Sequence, residues 1–239
     1  VERVLADVDR LNAGAEDRRR YSLPFAGRWA EDRRRVRLLP LVWDLIKQGR
    51  LDDGLEFIAR HGDHLQQDNE YAKLLALTGY ELLERGQVER AVEQYRAAIA
   101  VDPTTTVAHL NLAAALVRLR QYSAAIEQYH EALRFDPRDT RIHYSLAWLL
   151  ATAPDAAVRD GAEAVRWAEL AAQQTQNRHT LVLETLAAAL AEAQRYPEAV
   201  AMAQRVLERA RAANDQEVIQ RTELRLRLFQ QNQPYHEPP

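Results

Sequence analysis

Between Ala72 and Asp139 small and apolar residues recur at helical spacing, with short polar breaks between the runs. Leu75, Thr78, Gly79 and Leu82 fall on one face of a 3.6-residue helix, Gly86 interrupts it, and Ala91, Tyr95 and Ala98 make a second stripe. The pattern predicts a helix, a turn and a second helix. Small side chains at Gly79, Ala91 and Ala98 predict a close antiparallel approach, with Tyr95 filling the gap and Pro103 stopping the second helix.

A shift of 34 residues carries Ala91-Val92-Glu93-Gln94-Tyr95 onto Ala125-Ile126-Glu127-Gln128-Tyr129, and Asp102-Pro103 onto Asp136-Pro137. Leu82 moves onto Leu116 and Ala98 onto Ala132. Looser copies flank this pair. Leu183, Leu186, Ala187, Leu190, Tyr196, Ala199 and Ala203 keep the spacing over 180–213. Over 140–179, His143, Leu146, Ala147 and Leu150 begin a copy whose second stripe (Ala164, Ala168, Ala171) arrives late, after Ala153-Pro154-Asp155 and Asp160-Gly161, which predicts an elongated inter-helix loop. Upstream, over 35–71, Val42, Leu45, Gly49, Leu51, Gly54 and Ile58 suit a divergent copy with Pro40 in its opening turn. Over 214–239, Val218, Ile219, Leu224, Leu226 and Leu228 among many charges predict a capping helix, with an extended end from Pro234.

Residues 1–34 do not share the repeat. Val1, Val4, Leu5, Val8 and Leu11 suit a short amphipathic helix, and Phe25 and Trp29 give the following run the character of a docking segment. Such a segment packs on its own chain or on a partner.

Composition sharpens the class. With 47% hydrophobic and 28% charged residues, 8 Gly and an abundance of Ala, Leu, Arg, Glu and Gln, the chain reads as folded and all-α. A net charge of -3 gives no global reason to expect nucleic acid. The absence of cysteine excludes disulfides and thiolate chemistry. No stretch approaches the ~20 apolar residues of a membrane-spanning helix. A first residue of Val, with Met202 as the one methionine, suggests a processed or trimmed start.

On the residues above, 72–105 and 106–139 resemble two full units of the tetratricopeptide-repeat family. The resemblance implies repeats stacked into a right-handed superhelical solenoid with a C-terminal capping helix. In that family the first helix of each pair lines a concave, protein-binding face. Carried over, this implicates Lys73 and Tyr80, then Leu110, Asn111 and Arg118, then Arg141, Tyr144 and Trp148, with Leu181 and Glu184 in the last repeat. The central part of this face is apolar and aromatic, suited to a hydrophobic helix or an extended peptide. Two other readings stand beside it: Tyr144 and Trp148 pack on a neighbouring helix or beneath the long loop, or Phe25 and Trp29 fill the groove. A carboxylate clamp of the family's kind is incomplete, since Asn111 and Arg141 match but Ala76, Tyr80 and Ser145 do not. The stretch from Ser145 to Glu169 and the close through Arg227, Leu228, Phe229 and Pro234-Tyr235 also resemble a bacterial subgroup, which leans toward an extracytoplasmic location.

Other candidate chemistry is thin. His61 and His64, near Asp63 and Asp68, have a spacing that could hold a metal, but a pair beside a glycine reads better as a polar loop. The runs Arg18–Arg20 and Arg33–Arg35 each follow an acidic pair and read as solvated. There is no Gly-rich phosphate loop, Gly-x-Ser-x-Gly elbow or His-Glu-x-x-His. The expectation is a non-catalytic scaffold without cofactor or metal, binding a protein or peptide in its groove. The alternative is a structural subunit of a larger homo- or heteropolymeric assembly, self-associating or docking through its first segment and its solenoid ends.

Overall fold

A computed structural model describes residues 38–65 and 70–238. Phe25 and Trp29 lie outside the described residues, as do Asp68 and the side chains of Asp63 and His64. Eleven helices occur among the described residues: α1 (Leu38–Lys47), α2 (Leu51–Leu65), α3 (Tyr71–Glu84), α4 (Val88–Val101), α5 (Thr106–Arg118), α6 (Tyr122–Phe135), α7 (Thr140–Thr152), α8 (Gly161–Gln174), α9 (Thr180–Glu192), α10 (Tyr196–Ala212) and α11 (Gln216–Gln230). None is long and apolar enough to cross a membrane. The fold is all-α, with helices packed in consecutive pairs.

The described residues divide into two compact units, one ending at Asn111 and the other beginning at Leu112, with the division inside α5. In the first, α1 packs on α2 and α3 on α4. The spacing between α3 and α4 is set by a ring. Tyr95 is fully buried, and a Cβ at Gly79 would sit 2.7 Å from its Cε1 atom. Glycine is needed at 79 because a large side chain on α4 fills the space that a side chain on α3 would otherwise take. After α4, Asp102 accepts a hydrogen bond from the Thr104 backbone N–H at 2.9 Å, an Asx turn that redirects the chain through Pro103.

In the second unit α7 packs on α8, and α9 lies against α7, α8 and α10, with α11 covering α10. Residues Val182–Ala191 of α9 are all buried. A helix apolar around nearly its whole circumference belongs inside a structure, and alanine lets several neighbours approach it. Between α7 and α8 the loop Ala153–Asp160 is pinned by Arg159, which donates to Glu192 at 3.0 Å and to the Ala153 carbonyl at 2.8 Å. Gly161 then passes so close to α9's end that a Cβ would lie 2.6 Å from the Ala193 nitrogen. Asp139, Asp160 and Asp215 cap α7, α8 and α11 by accepting backbone N–H bonds from Arg141, Glu163 and Val218.

Candidate functional site

The second unit holds a cavity of about 410 Å³, lined by residues from α5, α6, α7, α9 and α11 and from the segment after α11. Its floor follows from the repeat. Trp148 on α7 lies one period after Ala114 on α5, and both line the cavity, the small side chain of Ala114 leaving room that a larger one would take. Val117, Leu181 and Tyr144 add apolar surface. Tyr129 contributes a hydroxyl whose pKa burial pushes up to about 12, although a hydrogen bond with Ser145 pulls the other way, so it stays a neutral phenol at ordinary pH.

Charge enters from α9 and α11. The Glu184 side chain is 2% exposed, and Arg221 holds it in a two-pronged ion pair, Nε to Oε1 at 2.9 Å and Nη2 to Oε2 at 2.8 Å. Thr222 donates to the same carboxylate at 3.2 Å, and Arg225 lies 3.8 Å away. Guanidinium and hydroxyl donors here take the place of the hydration that burial removes from a carboxylate. Glu184 was expected on the exposed face; instead α11 covers it, and its arginines become part of the cavity wall.

The segment after α11 also enters the site. Trp148 donates its indole N–H to Glu237 Oε1 at 2.8 Å, and the Glu237 backbone N–H donates to the Thr152 carbonyl at 2.8 Å. Arg225 stands over two adjacent rings, 4.7 Å from the centre of Trp148 and 4.8 Å from that of Tyr235, whose centres are 6.1 Å apart. Such cation–aromatic contacts contribute about 0.5–2 kcal/mol each, more where water is excluded, and Arg225 is 13% exposed. His236 bonds Glu192 at 2.7 Å, which joins the segment to the Arg159 network of the α7–α8 loop.

The residues implicated from the sequence are distributed unevenly. Arg118, Tyr144 and Trp148 line this cavity. Arg141 stands at the start of α7, where its guanidinium is taken up by Asp139 at 2.6 Å. In the first unit, Tyr80 is 45% exposed, Lys73 is exposed and 3.0 Å from Glu70, Leu110 is 8% exposed and Asn111 is half-buried. Leu110 therefore offers a ligand little surface. His143 is buried and stacks on Trp167 with ring centres 5.3 Å apart, and His109 bonds the Pro103 carbonyl at 2.9 Å, so both histidines are packing residues. Among the described residues no group of three or more His, Cys, Asp or Glu side chains is placed to hold a metal.

Sequence reasoning missed Arg221, Arg225, Tyr235 and Glu237. The final residues read as an extended end, because repeat periodicity says nothing about segments outside the repeat. A signal was nonetheless present: an aromatic and an acid between two prolines, Pro234-Tyr235-His236-Glu237-Pro238, are unusual for a segment with nothing to touch.

Residues 82–149 match the family model described as tetratricopeptide repeat. No curated protein is significantly similar in sequence. Among solved structures, a tetratricopeptide-repeat protein from Parabacteroides merdae is similar over 82% of this chain and 73% of its own, at 13% identity and a TM-score of 0.67. MamA from Desulfovibrio magneticus is similar over 72% of this chain and 93% of its own, at 17% identity and a TM-score of 0.60. YrrB, a tetratricopeptide-repeat protein described as having an unusual peptide-binding site, is similar over 67% of this chain and 87% of its own, at 17% identity and a TM-score of 0.52.

Proposed function

We propose that this chain, which matches the tetratricopeptide-repeat model over residues 82–149 and shares the fold of such proteins, is a non-catalytic scaffold which binds a protein or peptide segment in the groove of its second unit. The observation that carries this reading is the cavity of about 410 Å³ flanked by Trp148, Tyr144 and Leu181, with the side chains of Arg221 and Arg225 along one wall. Binding sites combine apolar area with a few fixed polar groups, and this one has both. Leu181 is 39% exposed, an apolar side chain at the mouth of the cavity. That YrrB carries a peptide-binding site on a similar fold is consistent with the reading.

Recognition here needs no reacting group. Tyr129 is held neutral, Glu184 is saturated by its arginines, and His143 is packed away from solvent. These side chains set shape and field for a ligand.

The test is selection from a random peptide-display library. Sequences enriched on the chain should lose at least tenfold in affinity, about 1.4 kcal/mol, when Leu181→Arg blocks the mouth, and should be unaffected by Tyr80→Ala. Equal loss at Tyr80, or none at Leu181, removes the groove from consideration. Self-association that survives Leu181→Arg would favour a structural subunit instead.

A further inference from the structure

We propose that this groove recognises a specific ligand pattern, an aromatic residue followed two positions later by a carboxylate, and that Tyr235 and Glu237 are a resident copy of that pattern. The inference rests on the groove-binding reading and adds the chemistry of the partner to it.

Three contacts define the pattern. The rings of Tyr235 and Trp148 are neighbours, with centres 6.1 Å apart and planes tilted by 41°, and the Arg225 guanidinium stands over both, at 4.8 and 4.7 Å. The carboxylate of Glu237 accepts the Trp148 indole N–H at 2.8 Å. The backbone N–H of that same residue donates to the Thr152 carbonyl at 2.8 Å. Thr152 is at the last turn of α7, where carbonyls have no partner within the helix. An incoming chain that satisfies such a carbonyl is docking by its backbone as well as by its side chains.

Each contact discriminates. Aliphatic residues in place of Tyr235 would remove one of the two π surfaces that Arg225 meets, and an amide in place of Glu237 would still accept the indole N–H but without the charge that strengthens the bond. The intervening His236 points its Nε2 to Glu192 at 2.7 Å, outside the pair of anchors, so its identity matters less to the pattern. Pro234 and Pro238 restrict the backbone on both sides, which lowers the entropy lost on docking. The segment thus has the features of a preorganised peptide ligand tethered to its own receptor. Tethering raises its effective concentration to the millimolar range typical of short linkers, so a partner must carry the same pattern and further contacts in the adjoining cavity to displace it.

The decisive experiment uses the full chain with Tyr235→Ala and Glu237→Gln together, which leaves all eleven helices in place. A fluorescent peptide Asn-Gln-Pro-Tyr-His-Glu-Pro-Pro is titrated in, with anisotropy as the readout. The expected result is binding to the double variant at least tenfold tighter than to the unchanged chain, weakened about fivefold when the peptide carries Ala for its Tyr or Gln for its Glu, and weakened likewise in the triple variant that adds Trp148→Phe. Equal binding by the double variant and the unchanged chain, or none by either, overturns the proposal. A display library selected on the double variant separates the two levels of inference. Enrichment of the aromatic-x-acid spacing supports the pattern. Enrichment of unrelated sequences that Leu181→Arg abolishes overturns the pattern and preserves the groove, and no enrichment overturns both.

Discussion

Tyr80 on α3 and Trp148 on α7 occupy the same place in the repeat, separated by two periods with Ala114 between them. Tyr80 is 45% exposed. Trp148 is half-buried, with its indole N–H bonded and its ring under Arg225. The repeat position does not decide whether such an aromatic is a bare surface or a built site. What differs is the chain that follows: α11 and the segment after it are available to the second unit and supply both arginines, Tyr235 and Glu237.

The largest effect on this contrast should come from Arg221→Ala. It leaves Glu184 buried with Arg225 at 3.8 Å and the Thr222 hydroxyl as its remaining partners, and should cost about 2–3 kcal/mol in chemical denaturation. That is below the range for a fully buried pair because Arg221 is itself 35% exposed. The exposed pair Arg90–Asp52 in the first unit, 3.3 Å apart, is the control; Arg90→Ala should change stability by under about 0.5 kcal/mol. Equal losses would mean that the burial of Glu184 is energetically irrelevant.

Next in size is Gly79→Val, which drives a branched side chain into the Tyr95 ring and should cost roughly 2 kcal/mol by overpacking. Since Tyr95 fills the space from α4, the paired change Gly79→Ala with Tyr95→Phe should recover little, whereas Gly79→Ala with Tyr95→Leu should recover most of the loss of Gly79→Ala alone. Thermal melts of the four chains measure this. A smaller effect, about 1 kcal/mol, is expected for Glu237→Gln, from loss of one charge-assisted bond at a half-buried site. Tyr80→Ala, with no such partner in the described contacts, should fall within about 0.5 kcal/mol.

An acid titration gives the mildest signature. At Asp139 burial works against the charge, but hydrogen bonds from the Arg141 side chain and backbone and its guanidinium charge outweigh it and hold the carboxyl below its ordinary value. A carboxyl depressed in the folded state contributes stability that is present above its unfolded pKa and is lost as pH falls through the folded one. Stability should therefore drop as pH is lowered below about 4, and Asp139→Asn, which keeps a capping side chain, should flatten that part of the profile. An unchanged profile would show that the Arg141 bonds add nothing to the cap.

The sequence by itself determined the class and the repeated helix pairs. Gly79 facing Tyr95, the Asp102-Pro103 turn and the alanines of α9 are local matters of volume, backbone freedom and periodicity, and these are written along the chain. It also singled out Tyr144 and Trp148, because a first helix presents that face wherever the repeat holds. Tertiary structure alone decided what meets them. Arg221 and Arg225 read as ordinary solvent-facing charges of a capping helix, and Tyr235 and Glu237 as part of an end. Their roles depend on α11 folding against α10 so that its arginines reach Glu184 and the following segment reaches α7. Periodicity records contacts between neighbours in the repeat; a contact such as Trp148 with Glu237 spans a sequence distance over which no repeat operates, and it forms because buried charge and unpaired backbone groups require partners from wherever the chain can supply them.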